Sequence, residues 1–258
     1  MTLAIAWRDN QGIKMAADSR LNFNGIYVDQ AIKVVSTPYR IYGPGDRAPH
    51  NVLAAGDLGM CFAGSAVAAL TLCEALRDVL TQMQGAPGYS NIGMDGIVDL
   101  LWRTYEILQK ELCTALFENG LAKVVVAGQC AVHQRQRAFL FDVSKQTYVR
   151  SMREILHNTG DDEMIGLGEG AARKILPPNP SQRDYLDALQ QVIDDPAEPT
   201  VGGQVQYGEL SGTSFRVLGV ARLGNGAVHY WRSGLDLNNR VLTSGNGLVL
   251  GYPLLDRI

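Results

Sequence analysis

Strand-forming segments joined by tight turns open and close this chain, and its long helical segments come together, once, between them. Strict strand–helix–strand alternation is absent, which disfavours a parallel sheet built from crossover helices. Tight turns pair neighbouring strands antiparallel, and helices grouped in the chain must pack on the outer faces of such sheets. Residues 2–7 read as a strand, Asp9-Asn10-Gln11-Gly12 as a turn, and residues 13–18 as the returning strand. Residues 26–35, with Gly25 in front, and 39–42 have strand character before the break at Gly43-Pro44-Gly45-Asp46. Residues 52–55 and 60–63 flank Gly56-Asp57-Leu58-Gly59 and read as a hairpin. Ser65 then caps a helix carrying Leu70, Cys73, Leu76 and Leu80 at helical spacing, ended by Gly85-Ala86-Pro87-Gly88. A second helix runs roughly from 94 to 118, with Ile97, Leu101, Leu108 and Leu112 on one face and Asn119-Gly120 as its stop.

Strands resume at 123–131, 137–141 and 147–150. Short helices follow at 169–176, closed by Pro177-Pro178, and at 184–195. Strands at 205–207, 215–221 and 228–231 come last, the final two joined by a turn at Gly224-Asn225-Gly226. If two such sheets stack, the inner strands are covered on both sides. Lys33, in the run Ala31-Ile32-Lys33-Val34-Val35, must then be paired or lose its proton.

Composition bounds the rest. The 258 residues, 46% of them hydrophobic, suit one large domain with a sizeable core. Lys plus Arg is 23 and Asp plus Glu is 26, so the formal net charge of −3 gives no electrostatic reason to expect a nucleic acid or an anionic membrane as partner. Cys61, Cys73, Cys113 and Cys130 form no CxxC pair and read as small buried hydrophobes. His50, His133, His157 and His229 are scattered without ligand spacing, so neither a metal nor a cofactor is expected. The opening residues have no basic leader region, and the longest weakly polar run, 61–73, is too short for a membrane span. The expected setting is cytoplasmic.

Two places offer chemistry. Gly166-Leu167-Gly168-Glu169-Gly170-Ala171 fits a dinucleotide fingerprint, and Asp187 lies about 20 residues on. The preceding Asn158-Thr159-Gly160-Asp161-Asp162 is loop-like and the βαβ frame is missing, so a Gly-rich helix start is the better reading. The other place is the N-terminus. Removal of Met1 would expose Thr2, whose α-amine, with a pKa of about 7.7–8.0, can take the proton from its own hydroxyl. In a tight hairpin Asp18, at the end of the second strand, comes close to Thr2, and Lys33 arrives from the third. A cation there would disfavour amine protonation and stabilise the Thr2 alkoxide, with the carboxylate holding the cation in place. A turn-capping Asp18 and a Lys33 on a solvated edge are the competing reading.

Taken together, Thr2-Leu3-Ala4-Ile5-Ala6, Ala16-Ala17-Asp18-Ser19-Arg20, Ile32-Lys33-Val34 and Cys61-Phe62-Ala63-Gly64-Ser65-Ala66 resemble the proteasome β-type subunits, which are N-terminal-nucleophile (Ntn) threonine hydrolases. Phe141-Asp142-Val143-Ser144 and Ile165-Gly166-Leu167-Gly168-Glu169-Gly170 resemble later motifs of that family. The similarity spans roughly residues 2–232 and looks most like a divergent bacterial proteasome homologue. It implies an α+β fold, a four-layer αββα sandwich of two antiparallel sheets, in one domain over 1–258 with 233–258 as an extension outside the match. It implies Thr2 as nucleophile, Lys33 tuning it, Asp18 orienting Lys33, the Gly64 backbone N–H as oxyanion donor, and Ala31, Val35 and Phe62 lining the specificity pocket.

Two positions depart from the family pattern. Leu167 stands where the family has Ser, and the family's Asp-x-x-Ser appears as Gly208-Glu209-Leu210-Ser211, leaving Ser211 as the retained supporting residue. The implied activity is that of a threonine peptidase in homo-oligomeric stacked rings, acting on peptides or unfolded protein delivered by an ATP-dependent unfoldase. The alternatives are an Ntn amidohydrolase on a small amide, or a catalytically silent assembly subunit in which Met1 is retained and blocks the Thr2 amine.

Overall fold

A computed structural model describes residues 2–23, 25–45, 51–88, 92–224, 227–238 and 254–255. The chain begins with β1 (Leu3–Asp9) and β2 (Gly12–Ala17), a small hairpin of β3 (Leu21–Phe23) and β4 (Ile26–Val28), then β5 (Val34–Tyr42) and β6 (Val52–Gly64). Next come α1 (Ala66–Leu80), β7 (Met83–Gln84), α2 (Met94–Leu116) and a single 3₁₀ turn at Phe117–Gly120. β8 (Ala122–Cys130), β9 (Arg135–Val143), β10 (Arg150–Ile155) and β11 (Asp162–Gly166) lead into α3 (Glu169–Ile175) and α4 (Gln182–Asp194). The chain finishes with β12 (Gln206–Ser211), β13 (Ser214–Gly224), β14 (Ala227–Arg232), β15 (Leu235–Asp236) and β16 (Leu254–Leu255).

The larger sheet has the order β11-β1-β2-β12-β13-β14-β15, with β16 against β13. The second has the order β10-β9-β8-β6-β5-β7, and β3-β4 forms a sheet of its own. These sheets correct the expected four-layer αββα sandwich of two antiparallel sheets. Both large sheets are mixed, because β7 joins β5 and β16 joins β13 in parallel. Among the described residues there are four α-helices, one of them only seven residues long, beside these large sheets. The physical reason is that strands of two residues are too short to leave an alternation in the sequence, and hydrophobic period does not report pairing direction.

The core divides by strand alternation. On β6, Met60 and Phe62 face a cluster with Leu72, Leu76, Ile97, Leu101 and Tyr105 from α1 and α2, whereas Cys61 and Ala63 face Ala4, Met15, Ala17 and Ile165. Both faces are covered along the second half of β6, from Leu58 to Ala63, and along most of β8, and there the sequence reads as a largely apolar run. A third cluster packs Leu3, Ile5, Trp7 and Ala16 against Tyr185, Leu186 and Leu189 of α4. The expected hairpin at Gly56–Gly59 is absent, and β6 runs straight through it. Those glycines serve packing instead: a side chain at Gly56 would crowd Tyr39, and one at Gly59 would overlap the Phe215 ring. Among the described residues no helix is long and apolar enough to cross a membrane. The 224–226 turn lies largely outside the described residues, as do Met1 and most of 239–258.

Candidate active site

The register of β1 and β2 pairs Ala4 with Ala17, which sets Leu3 beside Asp18 and Thr2 at the open end of the hairpin. Asp18 N–H donates to the Leu3 carbonyl at 3.1 Å, and Leu3 N–H donates to Asp18 Oδ1 at 3.0 Å. Lys33 ends the stretch before β5, whose Val34 pairs with Cys61 of β6. The lysine is thereby carried from the second sheet to the end of the first. Its ammonium hydrogen-bonds Thr2 Oγ1 and sits 2.8 Å from Asp18 Oδ1. Thr2, Asp18 and Lys33 are 2%, 0% and 1% exposed, so the three meet out of water, where charge interactions are strong and unpaired charge is costly.

Asp18 has a full set of partners. Besides Lys33 and Leu3, its Oδ2 accepts from Arg20 N–H at 3.0 Å and Gly202 N–H at 3.1 Å. Arg20 forms a two-pronged ion pair with Asp29 at 2.6 and 2.9 Å, which ties the loop after β2 to the stretch leading to Lys33. Burial pushes the Lys33 ammonium below its ordinary value, and the Asp18 carboxylate opposes that shift only in part.

Thr2 lines a cleft of about 460 Å³ together with Leu21, Asn22 and Gly25 of the β3–β4 hairpin, Gly64 to Val67 at the start of α1, and Leu116, Glu118, Asn119 and Leu121. Gly64 has φ of +106°, and a side chain there would overlap the Leu121 carbonyl, so only glycine lets β6 turn into α1 at this spot. Ser65 caps α1 by accepting from Ala68 N–H at 3.3 Å. The N-terminus of α1, with its outward-pointing N–H groups, thus borders the same cleft as Thr2 and suits a developing negative charge.

Ser211 is not at this site. β12 runs antiparallel to β2 with Gln206 beside Ala17 and Glu209 beside Lys14, so each further residue steps away from Asp18. Ser211 is exposed at the far end of the strand, opposite Ser214. Nor do Ala31, Val35 and Phe62 line the Thr2 cleft. Phe62 is buried in the cluster beneath α1 and α2, Val35 packs at the edge of that cluster, and Ala31 is buried beside Lys33. The cleft walls come instead from the β3–β4 hairpin, whose first strand the sequence does not announce, and from the end of α2, a helix expected there but with no role at the site.

Two supporting features were missed in the sequence. Gly202, after α4, reaches Asp18, and Gln206 bonds the backbone around Lys33. The Gly202-Gly203 pair marks a tight spot without naming its partner, and Gln206 carries no signal: a side chain on Gly203 would overlap the Ser19 hydroxyl, and one on Gly202 the Arg20 guanidinium. The Gly166-Leu167-Gly168 run also acquires a role. β11 pairs antiparallel with β1, Leu3 against Gly166, so no βαβ unit exists there for a dinucleotide. A side chain on Gly166 would overlap the Thr2 carbonyl, and one on Gly168 would press on Leu3 at 3.0 Å. Leu167 is exposed. Among the described residues no group of three or more His, Cys, Asp or Glu could hold a metal ion.

No family model and no curated protein matches the sequence. Solved structures do. The Anbu complex from Pseudomonas aeruginosa, solved as a helical assembly, superposes with a TM-score of 0.58 at 15% identity over 88% of each chain. Anbu (ancestral beta-subunit) from Yersinia bercovieri gives 0.51 at 17% identity over 80% of each chain. A Gly-1 mutant of Anbu from Hyphomicrobium sp. strain MC1 gives 0.53 at 16% identity, over 81% of this chain and 80% of that one. These neighbours correct the resemblance drawn from the sequence. Anbu proteins are among the solved structures this chain is similar to, in place of the proteasome β-type subunits the motifs suggested. At these identities the likeness establishes a shared fold.

Proposed function

We propose that this chain is a subunit of a homo-oligomeric assembly of the Anbu kind, and that Thr2 is the nucleophile of an amide hydrolase within it. The assembly half is supported by the fold shared with the Anbu complex, which forms a helical assembly. The chemical half is carried by one observation: a buried Lys33 ammonium bonded at once to Thr2 Oγ1 and Asp18 Oδ1.

The reaction requires a free Thr2 amine, hence removal of Met1. The Thr2 hydroxyl gives its proton to the α-amine as its oxygen attacks the amide carbonyl carbon. Lys33 donates to the forming alkoxide, and Asp18 keeps the ammonium charged and aimed. Backbone N–H groups at the Gly64–α1 junction receive the carbonyl oxygen as it gains charge. The α-ammonium returns the proton to the departing amine, leaving an ester on Thr2. Water then gives a proton to the α-amine and attacks the ester carbonyl; the bond to Thr2 Oγ1 breaks, the α-ammonium returns the proton to that oxygen, and the acid leaves. The cleft suits an extended peptide or a smaller amide, since its walls mix the apolar Leu21, Val67 and Leu116 with Asn22, Glu118 and Asn119.

A second reading keeps the assembly and drops the chemistry. It is supported by the comparison itself, which reaches the fold and goes no further at 14–17% identity. Native mass spectrometry of the purified chain tests assembly, and intact mass with and without a hydroxyl-reactive peptide electrophile tests Thr2. A large homo-oligomer whose subunits keep Met1 and take no adduct would leave only the second reading. A monomer would remove both.

A further inference from the structure

Gln206 opens β12, is 1% exposed, and lies beside Ala17 in the sheet register. Its carboxamide makes four hydrogen bonds, all to backbone. Oε1 accepts from Lys33 N–H at 2.9 Å and Val34 N–H at 3.3 Å, while Nε2 donates to the Ala31 carbonyl at 2.6 Å and the Asp18 carbonyl at 3.4 Å. These partners need it. Residues 30–33 belong to no strand, so the buried backbone around Lys33 has no ladder to satisfy it. Ser19 holds one further group, its carbonyl accepting from Ala31 N–H at 2.9 Å.

The pattern is that of a missing strand. In a parallel pair, one residue of a strand accepts from the N–H on one side of its partner and donates to the carbonyl on the other side. The Gln206 carboxamide does both across Ile32, whose side chain points outward at 44% exposure. Outward at Ile32 means inward at Lys33, by the alternation of extended backbone. A carboxamide carries two acceptor lone pairs on one atom and two donor hydrogens on another, and so serves all four partners without bringing charge into a buried site.

We propose that Gln206 is a positioning residue: standing in for an absent strand, its buried carboxamide fixes the backbone on both sides of Ile32 and so sets the Lys33 ammonium against Thr2 Oγ1 and Asp18 Oδ1. The role of that placement in catalysis rests on the reading of Thr2 as nucleophile; the clamp itself does not. Gln206→Glu keeps shape and acceptors but loses both donors and brings an anion near Lys33. Gln206→Leu keeps volume and leaves the Lys33 N–H, Val34 N–H and Ala31 carbonyl short of partners.

The test uses the full chain freed of Met1, as wild type, Gln206→Glu and Gln206→Leu, each checked for fold by circular dichroism and for assembly by native mass. Lys33 titration is followed by NMR of ¹³Cε-labelled lysine, its signal identified by loss in Lys33→Met. Thr2 adduct formation with a hydroxyl-reactive peptide electrophile is timed across pH. The clamp predicts that Gln206→Glu raises the Lys33 midpoint by about one pH unit or more. It also predicts that adduct formation slows about tenfold or more, with the concentration giving half-maximal rate unchanged and the pH midpoint moved in the same direction. Should Gln206→Leu fail to fold, Gln206→Glu decides, since it conserves volume and the bonds from Lys33 and Val34. A Lys33 titration unmoved in the folded variants overturns the clamp, and a Thr2 adduct formed in that case leaves the hydrolase reading in place. A moved titration with no adduct in wild type supports the clamp and removes the hydrolase.

Discussion

Asp18 and Lys33 form an ion pair 2.8 Å long whose two side chains are 0% and 2% exposed. The pair joins the two large sheets, since Asp18 follows β2 of one and Lys33 precedes β5 of the other. Three backbone N–H groups, from Leu3, Arg20 and Gly202, complete the carboxylate. Removing one partner of such a pair strands the other charge, which costs about 3–5 kcal/mol. Asp18→Asn should therefore lower the unfolding free energy by about that amount, read from denaturant midpoints at constant slope. A loss below about 1 kcal/mol, the range of exposed pairs, would show that the pair is not sealed from water.

Burial holds the Lys33 ammonium below its ordinary value of 10.5. Between the folded value and 10.5 the unfolded chain binds a proton that the folded chain does not, so folding gains stability as pH rises through that window. Lys33→Met has nothing to titrate there. The stability of wild type relative to Lys33→Met should thus climb as pH rises from below the folded midpoint toward 10.5, measured by denaturation at several pH values. A flat difference contradicts it.

Gly166, at φ of +109°, faces the Thr2 carbonyl with no room for a side chain. Gly166→Ala adds backbone strain of about 1–3 kcal/mol and pushes the start of β1 off its partner. Thermal unfolding should shift down, and Thr2 reactivity should fall further than the stability loss explains. Wild-type reactivity in a folded Gly166→Ala protein would show that Thr2 does not depend on that contact.

Ser211 lies at the far end of β12, exposed. Ser211→Ala should change stability by no more than about 0.5 kcal/mol and leave Thr2 reactivity at the wild-type rate. A marked loss of reactivity would restore Ser211 to the site.

The local signals in the sequence located most elements and misjudged their assembly. Ser65 marks the start of α1, and Ser181 closes a reciprocal cap with Asp184, so that α4 begins at Gln182, two residues ahead of the expected start at 184. The strand β11 was hidden, because the loop-like run Asn158-Thr159-Gly160-Asp161-Asp162 leads straight into it, although β11 pairs with β1 through Leu3–Trp7. Its charges are used at the sheet edge, Asp162 accepting from the Tyr185 hydroxyl at 2.9 Å and Glu163 pairing with Arg153 at 2.7 Å. At the site, the hairpin logic that brought Asp18 toward Thr2 was local and readable. Gly202 and Gln206 were not, because their contacts to Asp18 and Lys33 cross more than 170 residues of chain and depend on the β12–β2 register.

The measurement that bears most directly on the site is the intact mass of the purified chain, as wild type and Thr2→Ala, before and after a hydroxyl-reactive peptide electrophile. The wild-type subunit should lack Met1 and gain a single adduct, mapped to Thr2, and the variant should gain none. A wild-type subunit that has lost Met1 and still takes no adduct, or an adduct equal in Thr2→Ala, would contradict Thr2 as nucleophile.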